Sequence, residues 1–147
     1  MAQSPPPPAV PLDQLAPLQR AVLEALWDGG PGTVYEVLDR LPGGAATPYT
    51  SVLSALQKLE KAGWATHSAA SRDRGRQYVY AAARTRDAAQ AGTVRQVLDA
   101  VFAGDAFRMA QHLLGSERLS AEELAALRRL IDQRRREAGR PPDVRPT

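Results

Sequence analysis

The chain has no cysteine, which removes disulfides, thiolate metal sites, thiol-based sensing and cysteine nucleophiles at once. Histidine occurs at two positions, 67 and 112. Neither has a second histidine four residues away, so neither is expected to belong to a helical metal pair or a catalytic group. The Asp and Glu residues fall where helix caps and surface pairs would use them, and Gly29-Gly30-Pro31-Gly32 lacks the Lys-Ser/Thr ending of a phosphate loop. No catalytic residue, metal site or cofactor is therefore expected, and the chain reads as a non-enzyme. Long apolar runs are missing too: none reaches the roughly 18 residues of a membrane helix, and no basic stretch precedes an apolar core at the N-terminus. A cytoplasmic protein with no direct membrane insertion is expected.

Lysine is scarce, with Lys58 and Lys61 alone, so the net charge of +3 and the pI near 9.7 rest on arginine. A basic balance invites a nucleic-acid reading. The charge is local, however, because Leu12 to Ala83 carries 7 Lys+Arg against 7 Asp+Glu. Between Gln57 and Arg76, Lys58, Lys61, Arg72, Arg74 and Arg76 are opposed by Glu60 and Asp73 alone. A neutral module with one basic strip predicts modest non-specific affinity for DNA. At 147 residues and 44% hydrophobic, the chain can hold one ordinary core plus a smaller appendage.

The basic strip begins on a helix. Thr47 is a candidate N-cap, Pro48 suits a first helical turn and Gly63 marks an exit, which predicts a helix over residues 48–62. Val52, Ala55, Leu56, Leu59 and Ala62 fall on one side, with Tyr49 beside Leu56 in a packing position; Thr50, Ser51, Ser54, Gln57, Lys58 and Lys61 fall on the other. That outer arc offers hydroxyl, amide and ammonium groups. Glu60 lies on its flank, so the arc can meet phosphates and base edges without like charge. Trp64 to Ser68 and Gln77 to Ala81 then read as short strands bracketing a hairpin tip that holds Arg72, Arg74 and Arg76. An arginine-rich turn by itself is ordinarily solvated; directly behind a polar-faced helix it reads as a wing.

Upstream, Leu15, Leu18, Val22 and Leu26, joined by Leu23 and Trp27, predict a helix over Pro17 to Trp27 that no chain could continue through the Gly-Pro loop. Thr33 and Glu36 form a capping box for a second helix, Val34 to Leu41, with Val34, Val37, Leu38 and Leu41 behind it and Pro42-Gly43-Gly44 at its end. Three helices followed by two strands is the order of a winged helix-turn-helix, placed over residues 12–83.

Particular words in this stretch resemble the penicillinase and methicillin-resistance repressors of the BlaI/MecI type. Leu15 to Trp27 is similar to the family's first helix with its terminal Leu-Trp, and Gly30-Pro31-Gly32-Thr33-Val34-Tyr35-Glu36-Val37 to its Gly-Pro-x-Thr-Val-x-Glu-Val. Tyr49-Thr50-Ser51-Val52 through Gly63 is similar to its recognition helix. The likeness continues through Phe102-Ala103-Gly104-Asp105 and Leu119 to Ile131, and covers nearly everything from Leu15 to Glu137. It implies a winged-helix repressor that dimerises through its C-terminal region. It also implies inactivation when a membrane sensor metalloprotease triggers cleavage between an Asn and a Phe on that region's middle helix. Gln111 and His112 stand where that pair would be, so neither the cleavage nor a β-lactam signal carries over from the resemblance alone. Copper-responsive relatives carry a Cys-rich tail that this chain lacks.

Beyond Ala83 the apolar residues recur in three stripes: Val94, Leu98 and Val101 with Val97 and Phe102; Phe107, Ala110, Leu113 and Leu114; Leu124, Leu127 and Ile131 with Leu130. Asp105 and Ser120 are candidate caps, Glu123 completes a capping box, and Gly104 and Gly115 separate the pieces. About fifty residues in three helices make a marginal core, so such regular faces imply a partner, most simply a second copy of the chain. The alternative is packing back on the winged helix. Val94, Leu98, Val101, Phe102, Leu113, Leu124, Leu127 and Ile131 are the dimerisation candidates, within a helical region over 84–138. Residues 1–11 read as a disordered Pro-rich arm and 139–147 as a disordered tail.

The expected fold is mainly α with a small β-hairpin: a winged helix-turn-helix followed by a three-helix C-terminal dimerisation region. The expected function is a homodimeric repressor on a palindromic operator in double-stranded DNA. Thr50, Ser51, Ser54 and Lys58 are assigned to the major groove, with Gln57 and Lys61 nearby, and Arg72, Arg74 and Arg76 to phosphate or minor groove. Two other readings stay open: a winged helix used for protein-protein contact, favoured by the neutral module, and a repressor opened by a small ligand.

Overall fold

In the computed structural model, residues 7–43, 46–72 and 75–140 are described. A 3-10 turn at Leu12–Gln14 leads into α1 (Pro17–Gly29), α2 (Val34–Arg40) and α3 (Tyr49–Lys61). A hairpin of β1 (Ala65–Arg72) and β2 (Gly75–Ala82) follows, then α4 (Arg86–Phe102), α5 (Ala106–Leu114) and α6 (Ala121–Ala138). The chain is mainly helical with one antiparallel hairpin, and it divides into two compact units, residues 1–96 and 97–147.

The first unit closes because each of its helices has one apolar stripe. Val22, Leu23 and Leu26 of α1, Val37 of α2, and Val52, Leu56 and Leu59 of α3 are buried together with Trp64 and Tyr80. Each such side chain is stabilised by about 1.5–3 kcal/mol on leaving water. The loop between α1 and α2 is held by a side chain that local patterns do not flag. Arg40 Nη1 donates to the carbonyl of Gly30 at 2.6 Å and Nη2 to that of Pro31 at 3.4 Å. A Cβ on Gly29 would sit 2.5 Å from Arg40 Nε, so the missing side chain makes room for the guanidinium. Gly32 then exchanges both backbone hydrogen bonds with Tyr80, at 2.9 and 2.8 Å, which ties the loop to β2. The Thr33–Glu36 capping box forms as expected: Thr33 Oγ1 accepts from the Glu36 N–H at 3.2 Å. At α3 the cap shifts by one residue. Pro48, extended at ψ 144°, is the N-cap and Thr47 lies outside the helix.

Both strands run further toward the tip than the sequence pattern predicts. The ladder extends from Ala65↔Ala82 to Arg72↔Gly75. Beyond Ser68 neither strand has an apolar face to reveal it, yet backbone pairing needs none. Gly75, at φ +91°, takes a left-handed conformation at the start of β2, one that glycine adopts without strain.

The N-terminal arm departs from the disorder expected through residue 11. Ala9 N–H donates to the carbonyl of Ala62 at 2.9 Å, and the Trp64 indole N–H donates to the carbonyl of Val10 at 2.8 Å. Trp64 is 2% exposed, and a buried indole N–H needs a partner. The arm supplies it. Residues 1–6, like 141–147 of the tail, lie outside the described residues. A chain starting at Pro11 should therefore lose about 1–3 kcal/mol of stability, the cost of an orphaned buried donor. Trp64→Phe in the same background should make the truncation nearly neutral; equal losses in both backgrounds, read from urea denaturation, would place the arm's contribution elsewhere.

The first unit also extends past the expected boundary at Ala83. Ala89 of α4 is buried in its core, and the Trp27 indole N–H donates to the carbonyl of Arg84 at 2.8 Å. In the second unit the predicted caps appear: Asp105 Oδ1 accepts from the Arg108 N–H at 3.0 Å, and Ser120 with Glu123 forms a reciprocal box at 3.1 Å on each side. Those bonds from Ser120, backbone first, hold the Glu123 carboxyl below its ordinary range. No described residue of this unit is buried. Val101 is 70% exposed, Phe107 74% and Ile131 51%.

Candidate nucleic-acid interface

The outer surface of α3 divides into two flanks around an exposed crest. Thr50, Gln57, Lys58 and Lys61 are exposed, while Ser51 and Ser54 are half-buried. Thr50, Ser51, Ser54 and Lys58 line a groove of about 350 Å³ whose other wall is the start of α1, at Ala16, Leu18 and Gln19. Gln57, on the crest beside Thr50, borders the other flank. It lines a second groove of about 330 Å³ between α2, α3 and β2, with Tyr35, Tyr49, Leu53, Arg76 and Tyr78. Of the wing arginines, Arg76 is exposed at this groove. Arg72 pairs with Gly75 at the end of the ladder, and Arg74 lies outside the described residues.

Sequence reasoning missed the tyrosines. Tyr35 on α2 and Tyr49 on α3 stack at 4.8 Å between centroids, tilted by 41°, and are 41% and 38% exposed. Tyr49 thus packs on another rim residue and not into the core. Tyr78, 58% exposed, shares its face of β2 with Arg76 and Tyr80, because side chains alternate along a strand. That alternation, Arg-x-Tyr-x-Tyr from 76 to 80, was the readable signal, but the register was needed to aim it at α3. Phenol hydroxyls and rings beside an arginine and an amide suit contact with a sugar-phosphate backbone.

The carboxylate of α3 is managed. Glu60 faces β1, where His67 Nδ1 meets its two oxygens at 2.7 and 2.6 Å. The His67 ring is set edge-on to Tyr78 at 4.8 Å and lies 5.7 Å from Tyr80. Burial, and secondarily the charge of Glu60, raises the Tyr80 hydroxyl above its ordinary pKa, so it stays protonated wherever the protein is folded at neutral pH. The crest of α3 therefore presents hydroxyl, amide and ammonium groups, with its one negative charge turned toward the hairpin. Lys58 and Lys61 also sit in the last turn, where cations complement the helix dipole. Among the described residues no three His, Cys, Asp or Glu side chains group together as a metal site would require, and no helix is long and apolar enough to cross a membrane.

A protein-family model described as penicillinase repressor matches residues 15–133. Solved structures similar to the chain include Bordetella bronchiseptica BpsR, from work on regulation of its DNA binding by 6-hydroxynicotinic acid. That match has 20% identity, spans 86% of this chain and 79% of that one, and has a TM-score of 0.39. The transcriptional regulator Tm0710 from Thermotoga maritima is 20% identical over 84% of this chain and 78% of its own, with a TM-score of 0.40. No curated protein matches the chain.

Proposed function

The chain belongs to the penicillinase repressor family of DNA-binding transcriptional regulators, and from that premise we propose that it acts as a homodimeric repressor on an operator with two-fold related half-sites. The observation that carries this reading is the crest of α3: exposed Thr50, Gln57, Lys58 and Lys61 with the helix's one carboxylate engaged by His67. Each α3 enters a major groove, and Arg76 meets the backbone beside it. The second unit supports the dimer, because helices with no buried residue and several half-exposed leucines need an apolar partner to be stable. A second copy is the simplest one.

Relief of repression by proteolysis in this region extends the resemblance. Gln111 and His112, at the place of the family's cleaved pair, are both exposed on α5, although a helical peptide bond must open locally before a protease can take it.

The test is a mobility shift at graded salt, on duplexes selected from random DNA by the protein itself. Affinity should fall linearly in log salt. Absence of binding to any duplex at low salt would favour the protein-contact reading that the neutral module leaves open. Arg76→Ala should weaken binding similarly on all selected sequences and flatten the salt slope by about one. An unchanged slope would remove Arg76 from the phosphate contacts.

A further inference from the structure

Arg86, in the first turn of α4, is tied to α1 from three directions. Its Nη2 lies 2.7 Å from Glu24 Oε2 and 2.6 Å from Asp28 Oδ1, two carboxylates one helical turn apart, and its guanidinium carbon lies 5.4 Å from the centre of the Trp27 ring. Trp27 in turn donates its indole N–H to the carbonyl of Arg84 at 2.8 Å, and Arg20 holds the other Glu24 oxygen at 3.0 Å. Ion pairs this exposed contribute little to stability. What they supply is direction: one planar donor that meets two acceptors one turn apart, the first of them also held by Arg20, and lies against a ring has few orientations open to it.

We propose that Arg86 is a positioning residue that fixes the heading of α4 as it leaves the winged helix, and thereby sets the half-site spacing the protein accepts. The inference rests on the dimeric reading above. In a dimer joined beyond α4, any swing of α4 on α1 becomes a swing of one recognition helix relative to the other. Each base pair inserted between half-sites shifts the second by about 3.4 Å and turns it by about 35°. A stiff joint rejects such a change, and a loose joint absorbs it. The partners of Arg86 described above, Glu24, Asp28 and Trp27, all lie on α1 and not on α3, so its removal should leave base preference within a half-site unchanged.

The experiment selects duplexes from random DNA with the full-length wild-type chain, then measures affinity by fluorescence anisotropy on paired half-sites at the selected spacing and one or two base pairs longer and shorter. The wild type should lose about tenfold or more per base-pair step, and Arg86→Ala about threefold or less, at the expense of a several-fold weaker optimum. Glu24→Gln with Asp28→Asn, acting from the α1 side, should relax spacing in the same way, whereas Arg86→Lys should be intermediate because the ammonium keeps the charge but has no planar face to lay against Trp27. Sedimentation in parallel should show every variant as dimeric as the wild type. Sharp spacing preference retained in Arg86→Ala would overturn the clamp alone. A wild-type chain that selects single half-sites and sediments as a monomer would overturn the dimer and the clamp together.

Discussion

Gln57→Glu is expected to abolish operator binding while leaving the fold intact. Gln57 is exposed on the crest of α3, and the substitution changes one amide for a carboxylate of the same shape, so no cavity and no buried charge is created. Against DNA the consequence is large. An amide that can donate to and accept from a base edge becomes an acceptor-only anion beside phosphates, and loss of the contact combines with like-charge repulsion. Affinity should fall by about 10²-fold or more, where Gln57→Ala, which loses the contact alone, should cost about 1–3 kcal/mol. Glu60 already shows how the fold treats a carboxylate on this helix, by facing it with His67. Circular dichroism with a mobility shift decides the matter: a folded Gln57→Glu protein that binds with wild-type affinity would remove α3 from the groove.

The elements that the sequence made legible are those specified by neighbours a few residues apart. Thr33 with Glu36, Asp105 ahead of α5, and Ser120 with Glu123 are capping patterns local enough to be read directly. The apolar stripes of α1 and α3 similarly identify their buried faces. What stayed hidden depends on distant partners. The Trp64 indole meets the backbone of Val10 across 54 residues, and nothing in a proline-rich arm announces that a tryptophan requires its carbonyl. Arg40 sits in a space left by Gly29 and Gly32, so the glycine cluster looked like a bare turn. Tyr35, Tyr49 and Tyr78 line one groove because three elements converge there, and each taken alone is an ordinary surface residue. The first unit runs past Ala83 for the same reason: Arg84, Arg86 and Ala89 are held by residues of α1 and the core, not by any local pattern.

The revised end of the first unit decides where the chain should be cut to test the dimer. A chain ending at Ala83 would discard Ala89 from the core and leave the Trp27 indole N–H without the Arg84 carbonyl, so any loss of DNA binding could be a loss of folding. A chain ending at Gln96 keeps both. It should remain folded, sediment as a monomer and lose about 10²-fold or more in operator affinity, because a neutral winged helix holds DNA weakly and linkage of two makes the second contact intramolecular. Leu127→Asp in the full chain should give the same result by a different route. Leu127 is half-buried beside a groove of about 500 Å³ that Leu113, Leu114, Leu119 and Ile131 also line. A carboxylate there would cost little in a monomer exposed to water, but several kcal/mol if a second copy covers the groove. The two variants should therefore agree in sedimentation and in affinity, while each keeps the thermal unfolding of an intact winged helix. A Gln96-terminated chain that still dimerises and grips the operator as the full chain does would place the joint within the first unit.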